Sequence, residues 1–238
     1  MEIIKCHQAQ KLTDNGLLQL LRLCGDNLNI LDLTETQITG ERLSEYSRIL
    51  PVESLLCNKC SNLSDRGLVQ LLQLSGSTLK YLDISETNIS GDLLYAYNGF
   101  LPCLLTLNCK KNCNLTGYGL RHLLRFGGRT LKSLNVSFTL ISGEGLLANN
   151  ITLPSLEDLQ CLMCNNLNDF GLFEYLQVSG NTLKHLVLEN TDVTGEFMST
   201  YQVRLVKYST KIYFKKRFHL RFFSHSTRSS KNYFFIML

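Results

Sequence analysis

The sequence contains no tryptophan, only three prolines and five histidines, and no apolar run approaching the ~18 to 20 residues that a bilayer-spanning helix needs. No transmembrane segment is therefore expected. The stretch Met1-Glu2-Ile3-Ile4-Lys5-Cys6-His7 lacks a basic region followed by an apolar core, so no secretory signal is expected and the chain is assigned to the cytoplasm, or the nucleus. The scarce histidines, His7, His122, His185, His219 and His225, show no spacing that pairs one of them with a nucleophile. Nor is there a glycine-rich phosphate loop, because a repeat accounts for the glycines. These absences argue against an enzyme, against a cofactor and against a small-molecule substrate.

Acidic residues are missing from one region alone. Residues 201–238 hold nine of the 24 Lys and Arg and none of the 20 Asp and Glu, which leaves 15 basic against 20 acidic residues, a net −5, in residues 1–200. The formal +4 of the whole chain averages two dissimilar parts.

What is present is a repeat. The three prolines, Pro51, Pro102 and Pro154, recur at 51 and 52 residues. Gly16, Gly67, Gly119 and Gly171 keep that interval, as do Gly25, Gly76, Gly128 and Gly180, and Gly40, Gly91, Gly143 and Gly195. Within each period the pattern Leu-x-x-Leu-x-Leu/Ile/Cys occurs twice, its second leucine at Leu31, Leu55, Leu82, Leu107, Leu134, Leu159 and Leu186, with Ile4 in the same place at the start. The spacings alternate between 27 and 24 or 25, inside the interval range of leucine-rich repeats.

The local pattern supplies a geometry. In Leu79-Lys80-Tyr81-Leu82-Asp83-Ile84 the apolar Leu82 and Ile84 alternate with polar residues, which predicts a short strand with one buried face. In Asp65-Arg66-Gly67-Leu68-Val69-Gln70-Leu71-Leu72 the leucines fall at helical spacing behind an acidic residue near the helix start. The unit that begins at Leu79 has a shorter helical stretch, and each proline marks a boundary just ahead of a strand. Such a unit cannot bury its apolar face alone, so neighbours must stack over a continuous core. The expected architecture is an α/β leucine-rich-repeat solenoid, a horseshoe with a concave parallel β-sheet and about eight coils, over residues 1–199, followed by a basic, aromatic-rich non-repeat tail over residues 200–238.

Segments such as Cys164-Asn165-Asn166-Leu167-Asn168-Asp169-Phe170-Gly171-Leu172 resemble the cysteine-containing subtype of leucine-rich repeat, whose motif runs Cys-x-x-Leu-x-Asp-x-Gly-Leu. The likeness covers residues 2–198. That subtype is best known from the substrate-receptor half of F-box proteins, so the resemblance implies a protein-binding scaffold of the ubiquitin-ligase adaptor kind. No F-box-like helical module is expected ahead of the repeats, because the chain opens inside a strand.

Nine cysteines, an odd number without a secretory signal, predict reduced thiols. Cys57/Cys60 and Cys161/Cys164 have a spacing found in zinc and redox sites. The repeat offers a structural account: Cys6, Cys57, Cys109 and Cys161 stand two residues after the key leucine, in the buried slot that Leu33, Ile84, Val136 and Leu188 fill elsewhere. Cys60 and Cys164 stand in the turn position of Thr36, Thr87, Asn112, Thr139 and Thr191, where side chains would satisfy neighbouring backbone groups.

The expected partner is another protein, on the outward strand residues. One outward row reads Lys5, Asp32, Leu56, Asp83, Asn108, Asn135, Gln160, Val187, and another Glu35, Lys59, Glu86, Lys111, Phe138, Met163, Asn190. Alternating Glu and Lys in the second row make either a structural charge ladder or part of a binding face. Beyond the ladder come Phe138, Leu162, Met163 and Val187, an apolar patch expected to be exposed and to contact a partner, unless the C-terminal segment or a further repeat covers it. Asp83, Glu86 and Lys111 complete the candidate site. In the tail the pattern stops where a strand is due near residue 211, and basic residues interleaved with aromatics offer a second route to a partner, single-stranded nucleic acid or an anionic membrane.

Overall fold

A computed structural model describes residues 2–180, 182–196 and 211–213. The described residues form one open, all-parallel β-sheet in strict sequence order, with four α-helices. Eight short strands, β1 (Glu2–Lys5), β2 (Leu28–Asp32), β3 (Ser54–Leu56), β4 (Tyr81–Asp83), β5 (Thr106–Asn108), β6 (Ser133–Asn135), β7 (Asp158–Gln160) and β8 (His185–Val187), carry the eight key positions. Ile4, Leu31, Leu55, Leu82, Leu107, Leu134, Leu159 and Leu186 are register partners from strand to strand and form one buried line across the sheet. A ninth strand, β9 (Lys211–Tyr213), pairs in parallel with β8 and places Ile212 opposite Leu186. The sheet thus continues past residue 199, and a strand stands where the sequence pattern predicted none; parallel pairing draws on backbone groups that any non-proline residue supplies. The rest of residues 200–238 lies outside the described residues.

Odd and even units differ in the element that comes after the strand. After β1, β3, β5 and β7 come α1 (Asp14–Cys24), α2 (Asp65–Ser75), α3 (Gly117–Gly127) and α4 (Asp169–Ser179), each eleven residues long. Their N-caps are Thr13, Ser64, Thr116 and Asn168, whose side-chain oxygens accept from the backbone N–H of Gly16, Gly67, Gly119 and Gly171. After β2 and β4 there is only a 3-10 turn, Glu41–Glu45 or Leu94–Ala96. The shorter helical stretch expected after Leu79 is this turn.

Close stacking explains the regular spacing of glycine. A Cβ on Gly67, Gly119 or Gly171 would lie 1.9, 2.3 or 1.7 Å from the carbonyl oxygen of Thr39, Ser90 or Ser142 in the preceding even unit. Only hydrogen fits there. Leucines from the strands, helices and turns fill one continuous core, each worth about 1.5 to 3 kcal/mol relative to exposure.

The backbone ladder does not end with the strands. Gln8, Glu35, Lys59, Glu86, Lys111, Phe138, Met163 and Asn190 all adopt left-handed backbone, with φ between 53° and 60°. The first seven N–H groups each donate to a carbonyl of the next unit, for example Glu35 to Asn58 at 3.0 Å and Phe138 to Leu162 at 2.7 Å. Those bonds hold non-glycine residues in a conformation that costs each of them on the order of 1 kcal/mol or more.

A second tie joins each helix to the even unit after it. The Asp14 carboxylate accepts from Thr39 N and Gly40 N, Asp65 accepts from Ser90 N and Gly91 N, and Asp169 accepts from Thr194 N and Gly195 N. In α3 the position is Gly117, so the Ser142-Gly143 turn lacks the carboxylate. The nearest atom to a Cβ built at Gly117 is Arg121 Nη1 at 3.5 Å, an ordinary contact. Gly117→Asp should therefore stabilise the protein by about 1 to 2 kcal/mol, from charge-assisted hydrogen bonds, a favourable charge at the helix N-terminus and loss of a helical glycine. Thermal melting would show this as a rise of roughly 3 to 6 °C; an unchanged or lower melting temperature refutes this role of the carboxylate.

Candidate functional site

Strand alternation places two rows on the outward face of the sheet, one on either side of the leucine line. The row after the leucines is the one expected from sequence. The row before them, Ser54, Tyr81, Thr106, Ser133, Asp158 and His185, obeys the same period of two but carries no charge or apolar pattern of its own to mark it. The two rows share hydrogen bonds. The Asp83 carboxylate accepts from Ser85 N, Ser85 Oγ, Asn108 Nδ2 and Tyr81 Oη, and Asp83 is only 8% exposed. Asp158 accepts from Ser133 Oγ at 3.0 Å and from Gln160 Nε2 at 2.9 Å, and Gln160 in turn accepts from Asn135 Nδ2 at 3.1 Å. Asp83 is thus an anchor within the face, its oxygens engaged by neighbouring side chains and backbone.

The charge ladder runs along the left-handed turns. Glu35 accepts from Lys59 Nζ at 2.7 Å and from Gln8 Nε2 at 3.0 Å, and Lys111 lies 3.5 Å from Glu86. Glu86 and Lys111, expected as partner contacts, are therefore already paired with each other across one inter-unit step. The Lys59 hydrogen bond, with that of Gln8 second, holds the Glu35 carboxyl below its ordinary range. A depressed carboxyl favours the folded state above the unfolded carboxyl's pKa and loses that contribution as pH falls through the folded value. Lys59→Ala should move the Glu35 carboxyl back up, as followed by its side-chain carbon resonance through an acid titration. An unmoved midpoint refutes the pairing as the cause.

The ladder stops at Phe138. Phe138 and Met163 occupy the same left-handed position in successive units, and Phe138 N donates to the carbonyl of Leu162. The three residues are therefore neighbours. Exposure differs from expectation: Met163 is exposed at 40%, whereas Phe138, Leu162 and Val187 are half-buried. Strands are only about 4.8 Å apart, so a large side chain in one unit is covered by those beside it. Lys110 Nζ also lies 5.8 Å from the centre of the Phe138 ring. Val187 is not on these turns but in β8, between Gln160 and Tyr213.

The cysteines occupy the slots expected from the repeat. Cys6, Cys57, Cys109 and Cys161 are buried under the sheet. In the turns, the hydroxyls of Thr36, Thr87, Thr139 and Thr191 donate to the carbonyls of Leu33, Ile84, Val136 and Leu188. Cys60 Sγ lies 2.8 Å from Leu33 O, and Cys164 Sγ lies 3.0 Å from Val136 O, so these carbonyls take a further donor from the next unit. Asn112 keeps its amide within reach of the Thr87 hydroxyl. Burial pushes the thiols of Cys57, Cys60 and Cys109 up. Among the described residues no group of three or more His, Cys, Asp or Glu could hold a metal ion. His122 lies in α3, buried between Tyr118 and Phe126, and its pKa is lowered by burial and by Arg125 and Arg121.

Among the described residues no helix is long and apolar enough to cross a membrane. Comparison with known proteins finds no family model that matches the chain and no curated protein that matches it.

In the native protein a thiol reagent should modify the exposed Cys113 while Cys6, Cys57, Cys60, Cys109, Cys161 and Cys164 stay protected until denaturant is added. A chelator should leave the melting temperature unchanged. Rapid native labelling of the buried set, or destabilisation by chelation, would contradict the structural role of the cysteines.

Proposed function

We propose that this chain is a leucine-rich-repeat scaffold of the cysteine-containing subtype, a horseshoe that binds another protein on the outward, concave face of its sheet. Its role is that of a ubiquitin-ligase substrate receptor or a fragment related to one, and it works through shape and charge complementarity without catalysis or cofactor.

The observation that carries this reading is the break in the outward face at Phe138. From Gln8 to Lys111 the turn side chains are polar and largely satisfied by one another. From Phe138 to Met163 they are apolar and have no such mutual pairing to gain. An apolar cluster with Lys110 over the Phe138 ring and the paired Lys111 in the turn before it has the composition of an interaction site, an apolar anchor with a polar neighbour. The regular turn motif and the cysteine slots support the assignment to the repeat subtype.

The test is capture from a native lysate with the full-length chain, with a Phe138→Asp, Met163→Asp double variant as control. Aspartate tolerates left-handed backbone better than phenylalanine or methionine, so the variant should fold, as circular dichroism would verify. The expected outcome is a protein retained by the parent and depleted at least tenfold by the variant. Equal retention by both removes the turn cluster from the binding face.

A further inference from the structure

The rings of α3 form a row along one face of the helix. Tyr118, His122 and Phe126 stand four residues apart, and each meets the next: Tyr118 and His122 edge to face with ring centres 4.4 Å apart, His122 and Phe126 at 6.0 Å. Phe126 then meets the ring of Tyr97, in the preceding even unit, edge-on at 4.9 Å. Backbone closes the same contact, because Leu101 N donates to Phe126 O at 2.9 Å and the Tyr97 hydroxyl donates to Phe100 O. The row is therefore part of what seats α3 on the unit before it.

His122 is the polar member of that row. It is 8% exposed, and both of its ring nitrogens are buried without a hydrogen-bond partner. The same position in the other helices holds Gln19, which is exposed, Gln70, which is half-buried, and Glu174, which is buried but accepts from Leu147 N at 3.1 Å. The charged groups around His122 offer it no counterion. On α3 itself they are Arg121 and Arg125, and the Arg121 guanidinium lies over the Tyr118 ring with Nη1 donating to Glu144 O. The turn before α3 brings Tyr95, which is exposed, Tyr97, and Asp92, which accepts from Thr116 Oγ1; the turn after it brings Glu144, which accepts from Asn168 Nδ2.

We propose that His122 makes the seating of α3 on the preceding unit sensitive to mild acid. A proton added to the buried imidazole creates a cation with two N–H donors in a site that has two arginines beside it and an acceptor for neither nitrogen, so the charged form needs water. Water is reached by parting α3 from the Tyr97 segment, which breaks the His122–Phe126–Tyr97 contacts and the bond from Leu101 to Phe126. Burial first, then Arg125 and Arg121, holds the pKa below the ordinary imidazole value. The open state therefore takes up the proton more readily than the closed one. The closed state has its full stability above about pH 6.5 and loses it as pH falls from there through the lowered pKa.

Hydrogen exchange on the full-length chain, corrected for the intrinsic effect of pH, tests this against His122→Gln, the residue that α1 and α2 carry at this position. From about pH 7.5 to about pH 5 the amides of α3 and of Leu101 should lose protection about fivefold or more in the parent, while those of α2 keep theirs. In the variant the loss should shrink to about twofold or less. The imidazole supplies a second reading that does not depend on the variant folding: its nitrogen resonances in the native protein should titrate with a midpoint below about 6.5. Protection retained by the parent, an equal loss in parent and variant, an equal loss in α2, or an imidazole midpoint at or above the ordinary value overturns the proposal.

Discussion

The rest of this structure depends on the burial of one apolar residue per unit, Ile4 through Leu186, in a single line beneath a parallel sheet. Each strand is only three to five residues long and could not persist alone. It persists because the leucine on either side is buried in the same line and because the ladder extends beyond the strand into the left-handed turns. Stability is then a sum over neighbouring units.

Two kinds of unit alternate, and the alternation has a steric cause. An odd unit carries an eleven-residue helix, and in α2, α3 and α4 its glycine admits a backbone carbonyl of the preceding even unit. An even unit carries the turn that supplies this carbonyl and, three times, a Leu-Pro segment that caps the next helix. The tie from the first helical aspartate to the turn of the next unit closes the pair. It is made by Asp14, Asp65 and Asp169 and is missing at Gly117, so the array is less uniform energetically than its spacing suggests.

The outward face is divided by the same geometry. Over the first units it is occupied by groups that pair with each other, and Asp83 is engaged by four donors. A group already satisfied contributes little to a partner unless its bonds are exchanged. On the proposed binding role, recognition would be better served by Phe138, Leu162 and Met163, where covering the surface removes apolar area from water.

Strand positions, the buried leucine line, the four helices, the cysteine slots and the alternation of unit types were all legible in the sequence, because each arises from a period of two, of 3.6 or of about 52 residues. The Glu–Lys pairing along the turns was legible as well, from alternation at one repeated position. Left-handed backbone at Glu35, Lys59 and Phe138 was not, since none is a glycine or asparagine and the conformation is imposed by bonds to the next unit. Nor was the burial of Phe138, Leu162 and Asp83, which depends on the side chains one strand away rather than on the residue itself. β9 escaped the pattern because a strand at the end of a sheet is recruited by an existing edge, and an edge exists only once the other strands have assembled. Periodicity along one chain determines what each unit is; only stacking, which sets residues some 25 positions apart against each other, decides which of its groups stay exposed.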